Sequence, residues 1–128
     1  MNIKLDAADK TFSLFIRLRD KACVRCGRQG EDDRNGDAII GLQCSHFFGR
    51  GNESTRFDPE NCDTLCMGCH QYWGSRNHED YRDFKVKQLG EKGFKDLRTR
   101  ATLYKKKDRK MSKLIAKALL DDLRNKSK

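Results

Sequence analysis

Two of the three histidines, one asparagine and two pairs of cysteines carry most of the chemistry in this 128-residue chain. His46 closes an apolar run, Asn61 follows fifteen positions later, and His70 lies nine beyond that, directly after Cys69. An imidazole that titrates near neutrality can take a proton from water. An asparagine amide can fix the ring's orientation and tautomer. A second imidazole can hold a divalent ion against a phosphate, where the ion stabilises charge on the departing 3′ oxygen. The order His46, Asn61, His70 therefore points to phosphodiester hydrolysis. His46 is expected to be the general base, with Asn61 accepting the imidazole N–H and His70 ligating Mg²⁺ or Mn²⁺. Arg50 and Arg56 flank the set and suit bidentate phosphate contacts.

The cysteines point to a second metal. Cys23-Val-Arg-Cys26-Gly27 and Cys66-Met-Gly-Cys69 are paired Cys-x-x-Cys motifs. Each pair can turn two sulfurs toward one ion, and four such ligands close a structural zinc site. A redox Cys-x-x-Cys needs a strand before it and a helix after it. Here a helix precedes Cys23 and a glycine-bearing polar loop follows Cys26. Cys44 and Cys62 read as small buried hydrophobes, with replacement of one of the four zinc ligands as the alternative. His70 and His46, close in sequence to Cys69 and Cys44, could also be zinc ligands. The protein would then be a non-catalytic zinc module that binds nucleic acid.

Composition supports a stapled domain. Apolar residues make up 36% of the chain and charged residues 37%, so the core is thin and a metal is a natural reinforcement. The opening Met1-Asn-Ile-Lys-Leu-Asp6 is too polar for a signal peptide, and no apolar run is long enough to span a bilayer. No membrane partner is expected. The expected compartment is a reducing cytoplasm, where paired cysteines favour zinc over disulfides. The net charge of +9 is unevenly spread: residues 1–75 carry −1 and residues 76–128 carry +10. Lys105, Lys106, Lys107, Arg109, Lys110 and Lys113 form its densest run. Such a run suits a polyanion, nucleic acid above all. The competing reading is a solvated helical tail.

Several elements must position these groups. Residues 6–20 read as a helix capped by Asp6, with Ala8, Phe12, Phe15 and Ile16 on one face, placed to cover the metal-bound core. Residues 38–48 read as one extended segment with Ile40, Leu42, Cys44, His46 and Phe48 on a shared face. Gly41 marks a bulge or close approach. Arg56 and Phe57 begin a short strand or turn that Asp58-Pro-Glu-Asn61 closes. A helix starts at Cys66 and runs through Trp73, whose ring, like that of Tyr72, reads as core packing before base stacking. A basic helix over 79–89 stops at Gly90, and Phe94 and Leu97 anchor a short successor. A last amphipathic helix shows Met111, Leu114, Ile115, Ala118, Leu119 and Leu123 on one face. That face can dock on the core or pair two subunits. The expected class is α+β: a zinc-stapled ββα core with an N-terminal helix over 1–75, and a basic helical arm over 76–128. A strand–strand–helix carrying His, Asn and His is what a ββα-metal (HNH, or His-Me finger) nuclease needs.

The chain resembles the phage NinG/Rap family of recombination endonucleases. The likeness runs from about residue 11 to 101. It rests on Phe12-Ser-Leu-Phe-Ile-Arg-Leu-Arg-Asp20, Cys23-x-x-Cys-Gly27, Ser45-His-Phe47, Arg56-Phe-Asp-Pro-Glu-Asn61, Cys66-Met-Gly-Cys69, Asn77, and Tyr81 ahead of Leu89-Gly90. The resemblance implies a structure-selective DNA endonuclease of the His-Me finger type, acting on four-way junctions and displacement loops. A two-fold junction would suit a dimer. The chain departs from the family pattern at His70, where the family often has Asn, and many HNH enzymes have Asp where this chain has Ser45. His70, substrate phosphate and water would then hold most of the catalytic ion, with Asp58 as an unplaced carboxylate. Two other functions are expected alternatives: a non-catalytic zinc-dependent nucleic-acid-binding accessory protein, and a non-selective HNH nuclease.

Overall fold

The computed structural model describes residues 5–126. Helix α1 spans Ala7–Asp20 and opens on a reciprocal cap: Asp9 N–H donates to Asp6, and Asp6 N–H donates to Asp9, both at 3.0 Å. Its apolar stripe is as expected, with Ala8, Phe12, Phe15 and Ile16 all buried. Lys21, at φ 67°, ends the helix in the left-handed region. A turn through Cys23 and Cys26 follows, with Gly27 at φ 80°.

The segment expected as one strand is broken at Gly41, whose φ of 91° L side chains rarely adopt. Strand β2 (Ala38–Ile40) pairs with the short β1 (Glu31–Asp32). Strand β3 (Leu42–His46) pairs antiparallel with β4 (Cys62–Cys66). The break separates Ile40, which is exposed, from the buried Leu42 and Cys44. Between β3 and β4 lie a one-turn helix α2 (Glu53–Arg56) and a 3₁₀ turn Pro59–Asn61, the turn and not the strand of the two forms expected there. Helix α3 (Met67–Gln71) follows β4 directly, and a wider π-type turn over Tyr72–Arg76 leads to α4 (His78–Thr102). Gly90 interrupts α4 at φ 77°, ψ 164°, where the sequence expects one helix to stop and another to begin. Helix α5 spans Arg109–Lys126.

The β3–β4 ribbon is covered on both faces. One face packs against α1 and, beyond it, α5, with Phe12, Phe15, Ile16, Cys44, Phe57, Cys62, Ala116 and Leu120 in one core. On the other face Asp63 bonds to Tyr81 and Lys85 of α4, and a second core joins Leu42, Phe47, Leu65, Trp73, Tyr81 and Phe94 with Cys23, Cys66 and Cys69. Helix α1 therefore backs the ribbon, while Tyr81 and Phe94 of α4 share the second core with Cys23, Cys66 and Cys69. The residues set apart on charge, 76–128, share both cores. Trp73 is core, as its composition suggested: its ring stacks on Tyr81 at 4.6 Å and its Nε1–H donates to Asp80.

Helix α5 docks through a face that overlaps the expected one only in part, at Leu119 and Leu123, which pack against the first core. Ser112, Ala116 and Leu120 are buried, while Met111 and Leu114 are 49% and 63% exposed and Ala118 is exposed. Small residues let α5 approach α1 at Ala8 closely, which the bulkier stripe does not.

Candidate metal centre and histidine site

Each Cys-x-x-Cys pair is held by local backbone geometry. In the first, Cys23 N–H donates to Arg28 O and Gly27 N–H to Cys23 O, both at 2.9 Å, and Val24 N–H docks the turn on Thr64 O of β4. In the second, Cys66 ends β4 and caps α3, and Cys69 lies within that helix. Sulfurs of Cys23, Cys26, Cys66 and Cys69 all lie within 4.8 Å of one another. Cys26 and Cys66 approach to 3.7 Å. A tetrahedron with Zn–S of about 2.3 Å has S···S edges of about 3.8 Å, so the donor set and spacing fit zinc. Burial would raise the Cys23 thiol, but backbone hydrogen bonds from Cys26, Cys66 and Arg25 outweigh it and bring it down to about 7. Cys69 is pushed up to about 12 by burial and its neighbouring thiols, against the pull of Arg25. Arg25 donates to Cys69 Sγ at 3.4 Å and lies over the Tyr72 ring at 4.3 Å.

His46 ends β3 beside the one-turn helix α2. Its Nε2 lies 2.9 Å from Arg56 O, a contact an N–H must make, because a carbonyl only accepts. The neutral ring therefore carries its proton on Nε2 and its lone pair on Nδ1. Nδ1 is buried and has no hydrogen-bond partner among the described residues. Burial first, then the positive charge of Arg50, lowers the His46 pKa to about 4. The same two causes lower that of His70 on α3. Arg50 is thus the charge whose field reaches both imidazoles, and its own Nε is buried without a partner among the described residues.

The Asn61 amide does not accept the imidazole N–H, contrary to expectation, because that N–H goes to Arg56 O. Its Oδ1 accepts from Phe48 N, and its Nδ2 donates to Phe48 O and Thr55 O at 2.9 and 3.0 Å. It staples both ends of the loop that carries Arg50 and leads to Arg56. Its effect on His46 runs through the Arg56 carbonyl. The side chain of Arg56 does not face outward for phosphate either. It is 2% exposed and forms two bonds to Asp9, at 2.9 and 2.5 Å, with Glu53 nearby. That buried ion pair fixes the backbone that orients His46. Arg109 is likewise tied inward, to Asp6 at 3.0 Å and to Glu53. Lys105, Lys106, Lys107, Lys110 and Lys113 are all exposed.

Ser45 lies opposite Asp63 and, by strand alternation, on the face away from His46; it hydrogen-bonds toward Tyr81. It therefore does not occupy the position of a ligand beside the histidines. Asp58 is spent on its own turn and on Arg100, at 3.0 and 2.7 Å. His78, at the start of α4, is exposed and stacks on Phe47 at 4.8 Å. Among the described residues, His70 belongs to no group of three ligating side chains.

The sequence reading missed a buried polar cluster behind the ribbon. Asp63 Oδ2 accepts from Tyr81 Oη and Lys85 Nζ, at 2.9 and 3.0 Å, and Oδ1 accepts from Gln88 Nε2 at 3.0 Å. Lys85 also donates to Gln88 Oε1. Asp63 and Lys85 are both 0% exposed. The one available signal was a lysine at a helical position between Tyr81 and Leu89, in register with the buried stripe.

The fold and the cysteines define a small α+β protein with a tetrathiolate centre able to hold a metal ion. The family described as Bacteriophage Lambda NinG protein matches residues 4–128. The chain belongs to that family. No curated protein and no solved structure matches it. Among the described residues, no helix is long and apolar enough to cross a membrane.

Proposed function

We propose that this NinG-family protein is a metal-dependent DNA endonuclease of the HNH, or His-Me finger, type that acts on branched recombination intermediates. The observation that carries the reading is the state of His46: Nε2 is committed to the Arg56 carbonyl and Nδ1 is left as an unpaired lone pair. Support comes also from the order β3, β4, α3, with His46 at the end of the first strand and His70 on the helix. Cys23, Cys26, Cys66 and Cys69 would hold a structural zinc ion that ties the N-terminal turn to the helix bearing His70.

In this reading His46 Nδ1 takes the proton of the attacking water. Asp9 and Arg56 act as positioning residues, through the carbonyl that fixes the ring. Arg50, whose charge acts on both imidazoles, receives the scissile phosphate. A Mg²⁺ or Mn²⁺ ion bound at His70, with phosphate oxygens and water as its other ligands, would stabilise charge on the leaving oxygen. The exposed lysines from Lys105 to Lys113 hold flanking phosphates, and Tyr104, 91% exposed beside them, offers a ring to an unpaired base. A dimer suited to paired nicking would use the exposed Met111 and Leu114 edge, because the opposite face of α5 is occupied by α1.

The test is cleavage of a labelled four-way junction, beside linear duplex and single strand of matched sequence, in Mg²⁺ or Mn²⁺. The junction is expected to be cut preferentially. His46→Ala is expected to slow cutting by about 10²–10⁴-fold, the usual worth of a general base, with folding and junction binding retained. Cutting at the wild-type rate by His46→Ala would remove His46 from the role. Equal cutting of all three substrates would indicate the non-selective nuclease. Binding without cutting in either ion would leave the zinc-dependent accessory protein.

The His46 environment also sets a pH expectation. Its pKa is depressed to about 4 in the free protein, so the base form persists well below pH 6.5 and is lost only as pH falls through the lowered value. A phosphate on Arg50 would offset one of the depressing causes and raise the pKa in the complex. The acidic limb of kcat is therefore expected at higher pH than that of kcat/KM, which reports the free protein. Coincident limbs near pH 6.5 would contradict the buried, Arg50-facing imidazole.

A further inference from the structure

Away from the tetrathiolate, one other set of soft ligands converges. Cys44 and His46 lie two apart on β3 and so share a face, and Cys62 is the cross-strand partner of His46. One ligand atom from each lies within 4.8 Å of the other two. Cys62 is 0% exposed and Cys44 is buried. Both ring nitrogens are accounted for only in part: Arg56 O takes Nε2, while Nδ1 is buried and unpartnered among the described residues. A buried polar atom without a partner calls for an explanation, and a dry core would be served as well by alanine or valine at Cys44 and Cys62.

We propose that Cys44, His46 and Cys62 form a second metal site, for a thiophilic divalent ion of the zinc type. On binding, the two S–H bonds break and two protons leave to solvent, while two metal–thiolate bonds and one metal–imidazole bond form. Two thiolates and a neutral imidazole balance the charge of a divalent ion. The product is electrically neutral, which suits a place among Phe12, Ile16 and Phe57. Three protein ligands leave a fourth position open. Hard Mg²⁺ takes oxygen ligands and avoids such a site. The site therefore separates metals by chemistry: soft ions go to the sulfurs, while Mg²⁺ stays with phosphate and water. A bound ion takes up the His46 lone pair, so excess zinc becomes an off switch for proton abstraction. That consequence rests on the nuclease reading, whereas the binding itself does not.

The experiment is a Co²⁺ titration, under a phosphine reductant, of the folded chain already carrying one equivalent of zinc. It is read by the thiolate-to-cobalt charge-transfer absorption and by native mass spectrometry. A second equivalent is expected in the wild type. Cys44→Ala and Cys62→Ala are each expected to keep the first ion and the native circular dichroism and to bind the second about 100-fold more weakly or worse. His46→Ala, a change at the less enclosed ligand, should weaken it too and serves if a cysteine variant fails to fold. Saturation of the wild type at one equivalent would overturn the proposal, as would a second equivalent unaffected by all three substitutions. In parallel, excess Zn²⁺ should suppress junction cleavage more in the wild type than in Cys44→Ala. If no variant or condition gives cleavage, the nuclease reading fails, while the metal stoichiometry still decides the site.

Discussion

Cys66→Ser is expected to abolish zinc binding and to leave the chain unfolded at 25 °C. Cys66 is the last residue of β4, the N-cap of α3 and one of four convergent sulfurs, so strand, helix and metal all meet there. Structural zinc contributes roughly 10–16 kcal/mol of apparent binding free energy in small zinc domains. A domain of this size has about 5–15 kcal/mol of stability in total, so loss of the ion removes as much as the fold possesses. A serine hydroxyl is a poor ligand for zinc, and it leaves three thiols crowded within 4.8 Å without an ion to organise them. The measurement is zinc content by atomic emission together with circular dichroism, before and after substitution. Chelator treatment of the wild type should give the same loss of structure, reversed by added zinc. A well-folded, zinc-free Cys66→Ser protein would remove the structural role from this centre.

Lys85→Met is expected to cost about 3–5 kcal/mol, the usual result of leaving one member of a buried ion pair without its partner. The substitution keeps the length and shape of the side chain but strands the Asp63 carboxylate behind the ribbon. Among the described residues, only Tyr81 and Gln88 would still donate to it. The melting temperature should fall by about 10 °C or more for a chain of this size. Pairing the change with Asp63→Leu should recover much of the loss, since an apolar pair of similar volume is often neutral in such a place. A double-mutant cycle on thermal melts is the check. A drop of only a degree or two in Lys85→Met would mean that the ammonium reaches solvent and that the pair is not closed. Zinc content should stay at wild-type level in both variants, which separates this effect from the first.

The two losses fall on opposite sides of what a sequence can show. Cys66 announces itself, because Cys-x-x-Cys is a local motif and its partner pair repeats it. Lys85 sits in a basic helix and looks like any other solvated lysine, until Asp63 is placed against it from 22 residues away. Arg56 misled in the same manner. A lone arginine close in sequence to a candidate catalytic histidine suits phosphate, and only the fold of α1 brings Asp9 to its guanidinium. Strand β4 escaped the sequence reading for a related reason. All five of its residues are buried, so it lacks the apolar–polar alternation that marks a strand with one wet face. Helix α5 was found but turned, because its docking face is chosen by close approach to α1 and not by the size of its apolar residues.

The sequence by itself determined the features that depend on neighbours within about four residues. These are the Asp6 cap and buried stripe of α1, the two cysteine turns, the break at Gly90 and the basic run at Lys105–Lys113. Such features are set by backbone hydrogen bonding and residue chemistry at short range, which spacing records directly. The tertiary structure alone decided which groups face which. It turned Asn61 from the imidazole to the loop and buried Arg56 on Asp9. It also closed Asp63 on Lys85 and set Cys44 and Cys62 beside His46. Each of these depends on two distant segments being brought together by packing of the two cores, and no local pattern in either segment encodes the meeting.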